Sequence, residues 1–302
     1  MNFTEPIYLE TYKKGLLKKK IKKAIEILKH CTLCPRNCKI NRLITKSGIC
    51  KTGEYAMISS YSPHFGEEAP LVGTNGSGTI FFTNCNLLCN FCQNWDISHE
   101  SNGHEVSDIE LAKIMLYLQN LGCNNINFVT PSHVVPRILS SLEIAIENGL
   151  NIPLVYNSGG YDNIETIKLL DGIIDIYMPD FKFWDTKISE QTCNAPDYPE
   201  IARKVIKEMY KQVGDLCINN AGIAKRGLLI RHLVLPNELS GTKYIMRFIA
   251  KEISKNTYVN IMPQYSPCYK ATDIEKLSRA ITQQEFDKAI NDALNEGIKR
   301  LD

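Results

Sequence analysis

The chain contains no run of about 18 apolar residues, which excludes a conventional membrane-spanning helix among its 302 residues. It carries almost no net charge, +2 from 35 basic and 33 acidic residues, so no global field favours a nucleic acid or an anionic membrane as partner. A charged-then-apolar leader with a small-residue cleavage site is also missing, and the expected compartment is the cytoplasm. Internal repeats and low-complexity tracts are absent, which excludes solenoids and repeat arrays. What remains is an ordinary globular composition, 44% apolar and 23% charged, long enough for one barrel-sized core or two smaller ones.

Cysteine, by contrast, is abundant. Seven of the eleven fall in two tight groups, Cys31, Cys34, Cys38 and Cys50, then Cys85, Cys89 and Cys92. In a reducing compartment, grouped thiols hold metal rather than form disulfides. The scattered Cys123, Cys193, Cys217 and Cys268 read as packing residues or inert thiols.

Residues 9–30 have the spacing of one lysine-rich amphipathic helix, with Leu16, Leu17, Ile21, Ile25 and Leu28 on its apolar face. A short cysteine-bearing segment and a Gly/Pro/Ser-rich run over 62–78 follow. The reading divides the chain into residues 1–62, helix plus four-cysteine metal-binding segment, and residues 63–302, a barrel. Strand-like apolar runs occur at 79–83, 125–130, 153–158, 173–181, 228–235 and 258–263, with helical patterns between them. Capping boxes at Ser107/Glu110 and Thr282/Glu285 predict two helix starts, and Gly149 ends a helix over 134–148. Strands alternating with helices predict parallel pairing, and six units fit a partial (β/α)6 TIM-type barrel with an open side. An open doubly wound sheet satisfies the same pattern.

In such barrels chemistry sits at the C-terminal ends of the strands. Those ends carry Cys85, Cys89 and Cys92, then Thr130, Ser132 and His133, then Asn157 and Ser158, then Asp180 and Lys182, and finally Gln264 and Tyr265. Arg231 lies inside an apolar strand, where a guanidinium needs a partner or a polar cavity. The glycine stretch 73–79 is no phosphate loop, because it precedes a strand instead of opening a helix. Upstream, His64, Glu67 and Glu68 read as pairing with lysines, or as lining the barrel mouth.

The Cys85-x3-Cys89-x2-Cys92 loop supplies three thiolates where an iron–sulfur cubane normally takes four, leaving one iron open. With Phe91 before its last cysteine, this loop resembles that of the radical S-adenosylmethionine (SAM) superfamily. The segments CTLCPRNC (31–38), HFGEEAPLVGTNGSGTIFFTNCNLLCNFCQNWDIS (64–98), TPSHVVP (130–136), PDFKFWD (179–185), APDYPEIA (195–202), RHLVLPNELSGT (231–242) and YVNIMPQYSP (258–267) resemble the pyruvate formate-lyase activating enzyme-related group of that superfamily, over roughly residues 30 to 302.

The resemblance implies a [4Fe-4S] cluster on Cys85, Cys89 and Cys92 whose open iron chelates SAM. Reductive cleavage of SAM would then give a 5′-deoxyadenosyl radical. It further implies ribose contacts by Asn157 and Ser158, roles for Asp180 and Lys182 near SAM and the reacting substrate, Arg231 near the SAM carboxylate, and Gln264 and Tyr265 near the adenosine. The TPSH turn departs from the glycine-rich element that meets the SAM amino group in that family, so Thr130 and Ser132 inherit no contact. A flavodoxin or ferredoxin-type electron donor is implied as well. No nucleic acid or membrane partner is expected.

Cys31-x2-Cys34-x3-Cys38 with Cys50 gives four thiolates, a closed set that fits structural Zn²⁺ or a mononuclear iron, with a second [4Fe-4S] cluster as the rival. Arg36 and Arg42 would offset the thiolates' charge. The function expected is hydrogen abstraction from a protein or peptide, including activation of a glycyl-radical enzyme. The alternatives are radical modification of another peptide or small molecule, or a non-catalytic iron–sulfur electron-transfer protein.

Overall fold

A computed structural model describes residues 5–302. Helices α1 (Ile7–Lys13) and α2 (Leu16–Leu28) open the described chain, followed by β1 (Ala56–His64), the one-turn helix α3 (Ala69–Val72) and β2 (Ser77–Phe82). After the cysteine loop come α4 (Trp95–His99), β3 (His104–Val106) and α5 (Asp108–Asn120). Strand and helix then alternate through β4 (Ile126–Val129), α6 (Val135–Glu147), β5 (Leu154–Ser158), α7 (Ile164–Leu169) and β6 (Ile176–Pro179). Helices α8 (Thr186–Cys193) and α9 (Tyr198–Val213), strands β7 (Cys217–Ile218) and β8 (Ala224–Leu233), α10 (Thr242–Phe248), β9 (Tyr258–Met262) and α11 (Gln283–Glu296) follow.

Strands β2, β4, β5, β6, β8 and β9 pair in parallel in that order, and these are the six strands expected from the apolar runs. The sheet does not close on itself, because β1 and β3 extend it antiparallel beyond β2 at the far side from β9. The architecture is a partial (β/α)6 barrel. Strand β1 runs through residues 62 and 63, where the sequence suggested a division, and pairs with β2 on both sides of that point. Its Pro63 lacks an N–H, and β3 pairs only with Ala56–Ile58, so no ladder partner is denied.

Alternate residues of the parallel strands face opposite layers. Ile80, Phe128, Tyr156, Tyr177 and Ile230 pack outward into the main core with the helices. Val155, Ile176, Met178 and Leu229 form a separate cluster with Leu71 on the concave side. Asn157 and Arg231 follow Val155 and Leu229 by two residues, so they share that inner face one pleat nearer the strand ends.

Local signals set the helices. Ser107 Oγ accepts from the Glu110 amide while the Glu110 carboxylate accepts from the Ser107 amide, and Thr282 with Glu285 repeats this box at α11. Asp185 caps α8, accepting from the Lys187 and Ile188 amides. The single helix expected over 9–30 is instead two, because Gly15 takes a left-handed φ of 66° and ends α1 before α2 starts. Helix α2 packs on α6, with Leu17 and Ala24 buried in the main core. No helix among the described residues is long and apolar enough to cross a membrane.

Candidate active site

The loop from Thr83 to Asn94 leaves the C-terminal end of β2. Asn84 (φ 71°) and Leu88 (φ 57°) take left-handed conformations that curl it around its cysteines. Three hydrogen bonds reach the sulfurs. The Leu87 amide donates to Cys85 Sγ (3.3 Å), Ser98 Oγ donates to Cys92 Sγ (3.3 Å), and the Cys193 thiol lies 3.4 Å from Cys89 Sγ. Burial, then the neighbouring Cys89, pushes the Cys85 thiol up to about 12. Contact with Cys193, then burial, raises Cys89, while burial, then Cys89, raises Cys92.

Three thiols this close, one buried and two half-buried, do not ionise together unless a metal centre supplies positive charge. Among the described residues no three His, Cys, Asp or Glu side chains are placed to hold one common ion. The thiolates of a cubane bind three different irons, so the ligand spacing of a single ion is not required of them. The donors aimed at the sulfurs fit a cubane, since cluster thiolates accept hydrogen bonds.

The three cysteines line one cavity of about 250 Å³ together with Thr130, Asn157, Ser158, Asp180, Lys182, Arg231 and Gln264. Asp180 is the hub of this wall. Its Oδ2 pairs with Lys182 Nζ at 2.6 Å and its Oδ1 with Arg231 Nε at 2.8 Å, while Arg231 Nη2 donates to Asn157 Oδ1 at 2.8 Å. Burial alone would raise the Asp180 carboxyl, but the Arg231 and Lys182 charges outweigh it and hold it below the usual carboxylate range. Burial likewise works against charge on Lys182 and Arg231, and Asp180 reverses the sign for both. Gly160, at φ 73°, lets the turn after β5 approach so closely that a Cβ would collide with the Asp180 carbonyl oxygen.

Other predicted residues are placed differently. Ser158 borders the cavity, but its hydroxyl donates to Asp162 Oδ2 at 2.7 Å. Ser132 also hydrogen-bonds Asp162, and the His133 ring, buried and held neutral, donates from Nε2 to Thr83 O at 3.0 Å. Gln264 lines the cavity, and its carbonyl accepts from Gln93 Nε2 at 2.9 Å. Tyr265 is buried, its hydroxyl donating to Leu277 O at 2.7 Å. Glu67, expected to pair with a lysine or to line the barrel mouth, places Oε2 3.6 Å from Arg231 Nη1 of the cavity wall, and Glu68 accepts from Asn260 Nδ2 at 2.9 Å. The distance in sequence, with Glu67 on the β1–β2 connection and Arg231 on β8, hid that pair. Cys193, read as an inert thiol, was missed for the same reason.

Cys31, Cys34, Cys38 and Cys50 converge on a second cavity of only about 10 Å³. That is room for about one water-sized sphere. Burial, then Cys50, pushes the Cys34 thiol up to about 12. These four are likewise not gathered to the spacing of one ion's ligands, so they share a cavity without forming a finished coordination sphere. Arg36 and Arg42 border it.

Residues 79–225 match the Radical SAM superfamily domain. An uncharacterised protein of Methanocaldococcus jannaschii, MJ0674, is 35% identical over 290 residues, covering 93% of this chain and 79% of its own length. The chain belongs to the radical SAM superfamily. Among solved structures it is similar to methylornithine synthase, with a TM-score of 0.47 and 13% identity over 94% of this chain and 70% of that one. As a radical SAM protein it implies a [4Fe-4S] cluster and SAM, and the matched range holds the cysteine loop, Asn157, Ser158, Asp180 and Lys182. Arg231, Gln264 and the four N-terminal cysteines lie outside that range.

Proposed function

We propose that this protein cleaves SAM reductively and uses the resulting 5′-deoxyadenosyl radical to abstract hydrogen from a protein or peptide substrate, as an activating-enzyme-like radical SAM oxidoreductase. The observation that carries the reading is the convergence of two unlike walls on one cavity, three cysteines and the Asp180–Lys182–Arg231 network. An electron-transfer protein has no need of the second wall. When bound, the cluster supplies one electron and an open coordination site. Cys85, Cys89 and Cys92 would hold it, Arg231 and Asp180 would orient the charged end of SAM, and Asn157 and Gln264 would border its nucleoside. Lys182, anchored on Asp180, would meet the reacting group within the cavity.

The open side of the barrel would admit a peptide loop, and a glycyl Cα is the hydrogen donor we favour. A flavodoxin or ferredoxin-type protein would supply the electron. In the same reading the N-terminal cysteines hold Zn²⁺ or a mononuclear iron, since four thiolates make a closed donor set. All eleven cysteines are free of disulfides.

The test is anaerobic. Reduced, reconstituted protein supplied with SAM should release 5′-deoxyadenosine and methionine, and Cys89→Ala should release neither. Equal release by the two proteins would remove the site assignment, and no release by wild type with candidate peptides present would remove the enzyme reading.

A further inference from the structure

Arg36 and Arg42 stand among the four N-terminal cysteines, yet each guanidinium reaches out of that segment. Arg36 Nε donates to Asn86 O at 2.9 Å, Nη2 to Leu87 O at 3.1 Å and to Cys193 O at 2.7 Å, and Nη1 to Asn194 O. Its plane lies over the Tyr161 ring, 5.2 Å from the centroid, and Asn86 Nδ2 donates to the Tyr161 carbonyl at 2.6 Å. Asn86 and Leu87 lie between Cys85 and Cys89, and Leu87 is the residue whose amide donates to Cys85 Sγ.

Arg42, almost wholly buried, reaches the other flank. Its Nε and Nη2 donate to Gly53 O at 3.1 and 2.9 Å, and Nη1 donates to His133 O at 2.7 Å, while the His133 ring donates to Thr83 O two residues before Cys85. The segment is itself anchored, because Asn163 Nδ2 donates to Thr32 O at 2.8 Å and Thr166 Oγ1 to Leu33 O at 2.9 Å. Its own apolar cluster holds little beyond Leu28, Cys31 and Leu33, so its shape depends on what links the four sulfurs.

A planar fork that is always charged fixes the direction of every carbonyl it binds. We infer that the four-cysteine segment is a brace for the cluster loop, that Arg36 and Arg42 are the positioning residues through which it acts, and that an ion on Cys31, Cys34, Cys38 and Cys50 tightens the hold. The naming of Cys85, Cys89 and Cys92 as cluster ligands rests on the proposed function, but the brace does not.

Hydrogen–deuterium exchange on the full chain, before iron and sulfide are added, tests it directly. Arg36→Gln should speed exchange of the Asn84–Leu88 and Asn90 amides about tenfold, with the amides of α11 unchanged. Arg36→Lys, which keeps the charge and loses the fork, should behave like Arg36→Gln. Added Zn²⁺ should slow the same loop amides in wild type and not in Arg36→Gln. After reconstitution, Arg36→Gln should keep its iron and sulfide but shift the midpoint potential of the cluster.

Unchanged exchange in Arg36→Gln, or equal acceleration throughout the chain, overturns the brace. A loop in wild type that is indifferent to Zn²⁺ overturns the link to the four cysteines. Wild type that forms no 5′-deoxyadenosine while the exchange results hold would sink the enzyme reading and leave the brace standing.

Discussion

At the scale of residues, Asp180 decides the chemistry of the second wall. One carboxylate holds two cations, and Arg231 in turn spreads its fork over Asp180, Asn157 and Glu67. Lysine at 231 would keep the charge and lose the fork. Arg231→Lys should therefore lower stability on the order of 2 kcal/mol, read from the urea midpoint, and slow SAM cleavage more than it lowers cluster content. Cleavage at the wild-type rate would place Arg231 outside the site. The three loop cysteines, Asp180 and Arg231 were legible in the sequence because their spacing or their apolar surroundings single them out. Glu67, Cys193 and the targets of Arg36 were not, since each pairing joins residues 50 or more positions apart and no local pattern marks it.

At the scale of elements, the parallel strands were readable because each is a short apolar run bounded by turn residues. Strand β1 was not, because Ser59, Ser60, Ser62 and Pro63 give it the composition of a loop and its pairing with β2 and β3 makes it a strand. The break at Gly15 was hidden inside a continuous amphipathic pattern. The turn after β5 matters most for the site, since Gly160 brings it against the backbone of Asp180. Gly160→Ala adds a side chain at positive φ and in collision with that carbonyl, so it should displace Asp180 and abolish SAM cleavage while iron content stays near wild type. Gly149→Ala, also at positive φ but with open space around it, should cost about 1 kcal/mol in stability and leave cleavage intact. Equal effects of the two on cleavage would contradict the role given to the β5 turn.

At the scale of the whole molecule, buried titratable groups set the response to acid. Burial lowers His133 to about 3 and His232 to about 4, against about 6.5 in an unfolded chain. His232 is held between Phe181 O (2.7 Å) and Thr242 Oγ1 (2.8 Å) as a neutral ring. Groups depressed in this way lend stability that is full above about pH 6.5 and is lost as pH falls toward their folded values. Burial raises Asp175 to about 7 and also raises Asp108, Asp162 and Glu67, and these carboxyls oppose the trend, each contribution being full below about pH 4 and lost as pH rises through its folded value. The part that belongs to His232 is read by removing it, so between pH 7.5 and pH 5 the urea midpoint of His232→Gln should fall less than that of wild type. An identical drop in the two proteins would rule out His232 as a source.

The central claim is that three cysteines hold a cluster whose fourth position belongs to SAM, and the most direct measurement is low-temperature electron paramagnetic resonance of the reduced, reconstituted protein before and after SAM is added. One [4Fe-4S] signal is expected, changing when SAM is added and lost in Cys85→Ala. A full cluster signal that SAM leaves unchanged would contradict the claim.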